Sequence, residues 1–212
     1  MKIIKELISE YGKRKSLIKK RLDEFKRLHK AKDEDIFQEL CFCILTPQSK
    51  ATVCDKAIRS LKSSGLLLKG SMRAVRNKLR GVRFPNNKAA YLIRARKSFQ
   101  NGRKIDVKNR IDTNDTFSTR EWLVENIKGL GYKEASHFLR NIGLGKGMAI
   151  LDTHILKNLK RYGVINDIPK TLTKKAYIDI ENRMTAFSEK AGIPMDEMDL
   201  LFWSKETGFI FK

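Results

Sequence analysis

The side chains best suited to covalent chemistry are those of Lys133 and Asp152. Lys133 follows a glycine-containing turn, and the apolar spacing after it predicts that it lies in the first turn of a helix. A lysine amine is a nucleophile only when it is neutral, and the positive end of a helix disfavours the charged form. Lys133 is therefore suited to Schiff-base formation, with Asp152 as a carboxylate partner. Taken separately, each residue has an ordinary alternative: a solvated helix lysine and a helix N-cap.

The turn before Lys133 is the element that must position it. Gly129 and Gly131 permit backbone conformations and close approaches that side chains would block. Because the turn opens a helix, its N–H groups and the positive helix end form a site suited to a DNA phosphate. Glycine pairs before helices are common, so an ordinary corner between two helices is the alternative. Residues 143–147 form a second glycine-rich loop, in which we expect Lys146 to contact phosphate.

Helical periodicity dominates the rest of the chain, and alternating strand patterns are scarce. The sequence therefore predicts an all-α protein. We expect Asp33 or Asp35 to cap a helix with a buried apolar stripe that ends at Pro47, and Pro194 to open the last helix, which runs through Trp203. Residues 102–116 are predicted to be an irregular surface connection. Further helices are expected over residues 14–30, from about 49, and over 71–80, 88–100, 153–162 and 173–191.

The composition favours a polyanionic partner. Lys and Arg total 45 against 24 Asp and Glu, which gives a formal net charge of +21. Charge alone does not separate DNA from RNA. The three cysteines, Cys41, Cys43 and Cys54, lie on apolar helical stretches and give no disulfide framework, so a reducing cytoplasm is expected. Residues 1–11 are short, amphipathic and contain lysines, unlike a secretory signal, and no apolar run is long enough to span a membrane.

Several sequence blocks in a fixed order carry a resemblance to a known family. The blocks G-L-G-Y-K-E-A-S-H-F-L-R-N, from Gly129 to Asn141, and L-D-T-H-I-L, from Leu151 to Leu156, resemble those of the helix–hairpin–helix DNA glycosylases. Within that superfamily the chain is most similar to the 8-oxoguanine DNA glycosylase/AP lyases of the second, archaeal-type class. That similarity extends to E-L-C-F-C-I-L-T at 39–46, G-V-R-F at 81–84, D-L-L-F-W at 199–203 and T-G-F-I-F-K at 207–212.

The resemblance implies a two-lobed helical bundle with the helix–hairpin–helix motif at the cleft between the lobes. Residues 35–151 would form the central lobe, and residues 1–34 together with 152–212 would form the second. The implied partner is double-stranded DNA that contains 8-oxoguanine, bound by a monomer in a prokaryotic cytoplasm, in association with the nucleoid. No cofactor and no metal are expected, because the three histidines offer no site and the four-cysteine run of iron–sulfur relatives is missing.

The resemblance also implies roles for individual residues. Lys133 would attack the sugar of a flipped-out nucleotide, and Asp152 would stabilise the developing positive charge and help to deprotonate the lysine. Trp203 would stack on the damaged base, and Lys212 would contact it. Gln48 would probe the gap left in the duplex. The remaining site residues are a wedge, Phe84, a reader of the estranged base, Arg83, and phosphate-binding groups at Gly129, Gly131, Lys146 and His154.

Other interpretations remain open at this point. Gln48 could be a plain turn residue, Phe84 could anchor the core, and the tail that ends at Lys212 could be docked without a role. The whole chain could be a non-catalytic helix–hairpin–helix DNA-binding protein, which would not need Lys133 and Asp152 as a pair. It could also be a bifunctional glycosylase for another oxidised base, namely an oxidised pyrimidine.

Overall fold

The computed structural model describes residues 2–212, which form eleven α-helices, one 3₁₀ helix and one short hairpin. The predicted all-α class is therefore confirmed. Strands β1 (Gln100–Asn101) and β2 (Lys104–Ile105) pair antiparallel, and the 3₁₀ helix spans Lys108–Arg110. The α-helices are α1 Lys2–His29, α2 Asp33–Leu45, α3 Ala51–Ser63, α4 Leu66–Lys69, α5 Met72–Lys78, α6 Pro85–Phe99, α7 Thr116–Asn126, α8 Tyr132–Asn141, α9 Thr153–Arg161, α10 Lys174–Ala191 and α11 Met195–Thr207.

Two hydrophobic clusters hold these helices together. The first is built from residues between Ile36 and Met148, on the helices from α2 to α8. The second is built from α1 and from residues between Ala149 and Phe202. Helix α8 lies at the boundary, because its Ala135 belongs to the first cluster whereas its Tyr132 packs against the second. The helix that carries Lys133 is thus in contact with both halves of the molecule.

Helix α1 is longer than the sequence predicted. It begins at Lys2 and continues through Gly12, whereas the expected helix began at residue 14. Leu7, Tyr11 and Ile18 are buried in the second cluster, so one apolar face runs along the whole helix and outweighs the helix-weakening effect of a single glycine. Met1 belongs to the amphipathic segment predicted over residues 1–11, but it lies outside the described residues.

The predicted cap of α2 was wrong. Lys32 is at the N-cap position without a side-chain hydrogen bond, and Asp33 is the first helical residue. The Asp33 carboxylate accepts hydrogen bonds from the backbone N–H groups of Val107 and Lys108, at 2.6 and 2.8 Å. Asp33 therefore fixes a distant loop, a role that local sequence patterns do not reveal.

Among the described helices, none is both long and apolar enough to cross a membrane.

Candidate active site

A cavity of about 840 Å³ opens between the two clusters, and the predicted catalytic pair lies in its wall. Lys133 comes from α8, whereas Asp152 comes from the segment before α9, so two separate elements bring these side chains to one space. Both side chains are partly exposed. The volume is within the range that small-molecule sites commonly have, about 300–1,000 Å³. Other predicted site residues in the wall are Gln48, His154, Trp203 and Lys212.

The turn before α8 has the conformation that its glycines allow. Gly129 has a φ of 98°, in the left-handed region, and a Cβ placed on it would lie 2.6 Å from Cδ2 of Tyr91. The backbone of the turn is therefore packed against α6 as closely as a residue without a side chain permits. At Gly131 the backbone N–H donates to Oε2 of Glu134 at 3.2 Å. One N–H group that could bind a phosphate is thus occupied in this structure.

Glu134 also holds the lysine. Its Oε1 lies 3.1 Å from Nζ of Lys133, and the side chains are 22% exposed for Lys133 and 14% exposed for Glu134. The carboxylate therefore links the turn to the ammonium, with one oxygen on each. Lys133 therefore has a carboxylate neighbour in addition to the positive end of the helix. A glutamate at the third position of a helix is a recognised capping residue, and that signal could have identified it.

Two side chains of α10 hold the segment that carries Asp152. Glu181 accepts the backbone N–H of Ala149 at 2.7 Å, and the Tyr177 hydroxyl donates to the carbonyl of Ala149 at 2.6 Å. Glu181 is itself paired with Arg120 of α7 through two hydrogen bonds, at 2.7 and 2.9 Å, and both side chains are buried. Asp152 then caps α9, because its Oδ1 accepts the N–H of Ile155 at 2.8 Å.

The lining of the cavity includes three buried polar side chains that were not among the predicted site residues. They are His137, Arg140 and Asp199. Nη2 of Arg140 lies 3.5 Å from Oδ2 of Asp199. Burial raises the pKa of Asp199 to about 7, although the Arg140 guanidinium opposes the shift, and the nearby Asp152 adds to it. Burial, together with the positive charges of Arg140, Lys133 and Lys212, holds the pKa of His137 well below its usual range.

The segment after α11 folds back against the cavity. The Trp203 ring is stacked on Phe211 with centroids 6.3 Å apart, and it meets Phe209 edge-on at 5.3 Å. The ring of His154 lies edge-on to Trp203 at 6.5 Å. Lys212 reaches two carboxylates, with Nζ 2.9 Å from Glu39 and 3.1 Å from Asp55. This tail therefore forms part of the cavity wall.

Two adjacent loops present the residues predicted to contact the duplex. Gln48 and Phe84 have φ values of 55° and 56°, and they are the two non-glycine residues with positive φ in the described chain. Left-handed backbone at such residues is unusual and clusters at functional sites. Both side chains are exposed, Phe84 by 50%, and the Arg83 guanidinium lies 5.3 Å from the Phe84 ring. Phe84 is therefore not anchored in the core.

The two loops are tied together. The backbone N–H of Arg83 donates to Oγ of Ser49 at 3.0 Å. The buried ammonium of Lys88 donates to the carbonyls of Leu45 and Pro47, at 2.6 and 2.7 Å, and to the same Ser49 oxygen. Lys88 is the fourth residue of α6, in which Phe84 is the N-cap, so this one side chain links the two loops.

The remaining predicted site residues lie outside the cavity. Arg83 and Phe84 are on the neighbouring loop, and the turn with Gly129 and Gly131 lines a separate polar cavity of about 510 Å³. Lys146 lines a third cavity, of about 720 Å³, next to α1 and α10. Across residues 2–212 no group of three or more His, Cys, Asp or Glu side chains has a metal-binding arrangement.

A helix–hairpin–helix corner with a lysine and an aspartate in one cavity between the two hydrophobic clusters is the arrangement expected of the helix–hairpin–helix DNA glycosylases. Comparison with known proteins agrees. A family model described as 8-oxoguanine DNA glycosylase matches residues 18–193. A protein of Fusobacterium nucleatum named 8-oxoguanine DNA glycosylase/AP lyase is 48% identical over 213 residues, which cover 100% of this chain and 95% of that one.

Two solved structures have the same fold. The crystal structure of the 8-oxoguanine DNA glycosylase of Thermotoga maritima matches with a TM-score of 0.88 and 36% identity, over 100% of this chain and 99% of that one. The 8-oxoguanine glycosylase/lyase of Methanocaldococcus jannaschii, in complex with a 15mer DNA containing 8-oxoguanine, matches with a TM-score of 0.89 and 36% identity over 100% of both chains. The chain belongs to the 8-oxoguanine DNA glycosylase family, and the predicted resemblance is confirmed.

Proposed function

We propose that this protein excises 8-oxoguanine from double-stranded DNA and then cleaves the abasic site, with Lys133 as the nucleophile and Asp152 as its carboxylate partner. The observation that carries the proposal is the placement of both side chains in the wall of one cavity, although they come from different elements. A protein that only binds DNA through its hairpin would not need this pairing. Family membership, together with the names of the relatives, supports the choice of lesion.

The reaction follows from the chemistry of an amine at a sugar. A base inside a duplex is out of reach, so the nucleotide must first flip into the cavity. Lys133, after loss of a proton, forms a bond from Nζ to C1′ of the sugar while the glycosidic bond breaks, and the base leaves with that electron pair and takes up a proton. Asp152 stabilises the positive charge that develops on the sugar. Glu134, with Oε1 3.1 Å from Nζ of Lys133, and Asp152, in the same cavity wall, are the carboxylates that we propose take the lysine proton.

The same covalent intermediate explains the lyase step. Once the sugar ring opens, the link between Lys133 and C1′ is an iminium ion, which makes the C2′ proton acidic. Loss of that proton expels the 3′ phosphate by β-elimination, and water later hydrolyses the imine and frees the lysine. One residue thus serves as the nucleophile for both steps.

The other predicted site residues have positions consistent with handling DNA. Trp203 and Lys212 are in the cavity wall, where a flipped base would lie, and Gln48 is in the turn at its edge. Phe84 is exposed beside Arg83, as a wedge requires. Gly129, Gly131 and His154 would contact phosphates on the strand that carries the lesion. Lys146 faces a different cavity, so its contact with DNA is the least supported of these roles.

Trapping the covalent intermediate tests the proposal. Borohydride should reduce the Schiff base formed with duplex DNA containing 8-oxoguanine and give a stable protein–DNA adduct. Lys133→Gln should abolish the adduct, because an amide nitrogen does not form an imine. Lys128→Gln is the matched control, since this exposed lysine lies on the same turn. An adduct that persists in Lys133→Gln, or one that depends on Lys128, would contradict the assignment.

A panel of lesions tests the substrate. Excision should be fastest with 8-oxoguanine and slow with oxidised pyrimidines, and the aromatic wall formed by Trp203 and the tail is the observation that favours a purine. Faster excision of an oxidised pyrimidine would mean that the protein is a DNA glycosylase for a different lesion. The two hydrophobic clusters support the proposed division into lobes 35–151 and 1–34 with 152–212, except that Ala149 and Leu151 pack in the second cluster. We further propose a monomer that acts on nucleoid DNA in the cytoplasm.

A further inference from the structure

The Lys212 ammonium rests in a receptacle made of two carboxylates and one aromatic ring. Its Nζ lies 2.9 Å from Oε2 of Glu39, 3.1 Å from Oδ1 of Asp55, and 4.4 Å from the centroid of the Phe42 ring. The side chains are shielded, with 16% of Lys212, 7% of Glu39 and 11% of Asp55 exposed. Ion pairs at this depth are screened much less than surface pairs. This ammonium is therefore held by protein groups before any DNA is bound.

The two carboxylates are themselves oriented for this task. Asn141 donates to Oε1 of Glu39 at 2.6 Å, and Arg59 donates to Oδ2 of Asp55 at 2.7 Å. Each carboxylate thus uses one oxygen for its own support and presents the other to Lys212. Without the lysine, two acidic groups would share a poorly solvated space, which is unfavourable. Burial opposes the charged form of Lys212, but Glu39 and Asp55 outweigh it and raise its pKa.

This receptacle joins the two halves of the molecule. Glu39 and Asp55 lie on α2 and α3, which belong to the first hydrophobic cluster, whereas the tail continues from α11, whose residues belong to the second. Phe211 packs against the first cluster and Ile210 against the second. The tail therefore crosses from one side of the cavity to the other, and the ring of Phe211 supports Trp203 on the way.

We infer that Glu39 and Asp55 are positioning residues that clamp Lys212 and so hold residues 208–212 across the cavity as a wall for the flipped base. The inference rests on the proposed function. It makes the role that the sequence suggested for Lys212 depend on the clamp: the ammonium anchors the tail, and the tail presents both residue 212 and the aromatic wall to the flipped base. Cleavage at an abasic site has no base to select, so it needs the clamp much less.

The double variant Glu39→Gln/Asp55→Asn tests the clamp. Gln and Asn keep the size of the side chains and an oxygen for Asn141 and Arg59, but they remove both negative charges. Hydrogen exchange of the backbone amides of residues 209–212 should become at least tenfold faster. Single-turnover excision of 8-oxoguanine should fall at least tenfold, whereas β-elimination at a pre-formed abasic site should fall less than threefold. Unchanged exchange with unchanged excision would overturn the inference.

Asp35→Asn is the matched control, because it removes a carboxylate of the same helix whose partner, Lys62, lies at the surface. Neither exchange of the tail nor excision should change in this variant. If Asp35→Asn loses as much excision as the double variant, the effect is a general one of charge on α2, and the inference fails.

Substitution of Lys212 separates anchoring from direct reading of the base. Lys212→Met should lose about as much excision as the double variant, and combining the two should cause no further loss, because both break the same clamp. Lys212→Arg, which keeps the charge, should retain most of the activity. A further loss when Lys212→Met is added to the double variant would show that the ammonium reads the base directly. If the unaltered protein excises no 8-oxoguanine, the proposed function fails, and the exchange measurement alone decides the clamp.

Discussion

Asp152 caps a helix, and the proposed function gives it a chemical role as well; substitution can separate the two. Its carboxylate caps α9 through the N–H of Ile155, and it also lies in the cavity wall with Lys133. Asparagine caps a helix about as well as aspartate but carries no charge. Asp152→Asn should therefore change the free energy of unfolding by less than about 0.5 kcal/mol, whereas borohydride trapping should slow by about 10²–10⁴-fold.

Asp152→Ala provides the comparison, because alanine removes both the cap and the charge. It should cost about 1 kcal/mol of stability in urea unfolding, with the same loss of trapping as Asp152→Asn. If Asp152→Asn traps DNA as fast as the unaltered protein, Asp152 is a cap and nothing more.

The raised pKa of Asp199 predicts that the stability of the protein depends on pH. Its pKa is about 7 in the folded protein against 3.8 as the ordinary value, because the carboxyl is buried. The folded state therefore binds its proton more tightly than the unfolded state does. The stability that this group contributes is fully present below about pH 4 and is lost as the pH rises through about 7.

Asp199→Asn should remove this dependence. The melting temperature of the variant should rise relative to that of the unaltered protein as the pH increases from 5 to 8, because asparagine resembles the protonated acid and does not ionise. Asp179→Asn, an exposed carboxylate of α10, should show a constant difference. A constant difference for Asp199→Asn as well would contradict the raised pKa.

At the scale of single residues, the sequence was informative where the chemistry follows from residue type and position in a motif. Lys133 and Asp152 were predicted in this way, and the structure has both side chains in the wall of one cavity. Glu39, Asp55 and Asp199 were not, because their importance comes from burial and from partners far along the chain, such as Lys212 for Glu39. An acidic residue on a helix is usually solvated, and local patterns do not report the exceptions.

At the scale of elements, the turn before α8 depends on the absence of a side chain at Gly129. Gly129→Ala would place a methyl group 2.6 Å from the Tyr91 ring in a left-handed conformation. The left-handed backbone alone costs about 1–2 kcal/mol, and the overpacking should add about 1–3 kcal/mol. Urea unfolding should show the sum, and DNA binding should weaken, because the turn must shift to relieve the contact.

Gly163→Ala is the matched control for this prediction. Gly163 also has a left-handed conformation, with a φ of 70°, but a methyl group there would meet no atom within 4 Å. It should cost only the backbone strain and leave DNA binding unchanged. Equal losses in the two variants would show that contact with Tyr91 does not matter.

The helices themselves were largely predictable, and their ends were not. Apolar periodicity located most of the long helices, because it reflects the face that each buries. It missed the single-turn helix Leu66–Lys69 and the hairpin of β1 and β2, which are too short to show a period. It also could not reveal the left-handed backbone at Gln48 and Phe84, which is held by the contacts of Ser49 and Lys88.

At the scale of the whole molecule, the cavity exists because α9, α11 and the tail face α8, the start of α3 and the loop of residues 46–50. Composition contained no information on this arrangement, which came from the family resemblance. The buried pair of Arg120 and Glu181 shows why: it joins α7 to α10 and supports Ala149 beside the cavity, yet its partners are far apart in the chain. Residue spacing alone does not bring such groups together.

The net charge of +21 predicts binding that is strongly dependent on salt. Each phosphate neutralised by a basic side chain contributes about −0.9 to the slope of log K against log salt concentration. Lys50 is exposed at the edge of the cavity, beside the turn that carries Gln48, so it is placed to meet the backbone of the lesion strand. Lys50→Gln should make the slope less negative by about one, measured by fluorescence anisotropy with duplex DNA over a salt series. Lys13→Gln, on α1 beside Glu10, should leave the slope unchanged although it removes the same charge. Equal effects of the two substitutions would mean that the overall field of the protein, rather than contacts at the cavity, determines how it holds DNA.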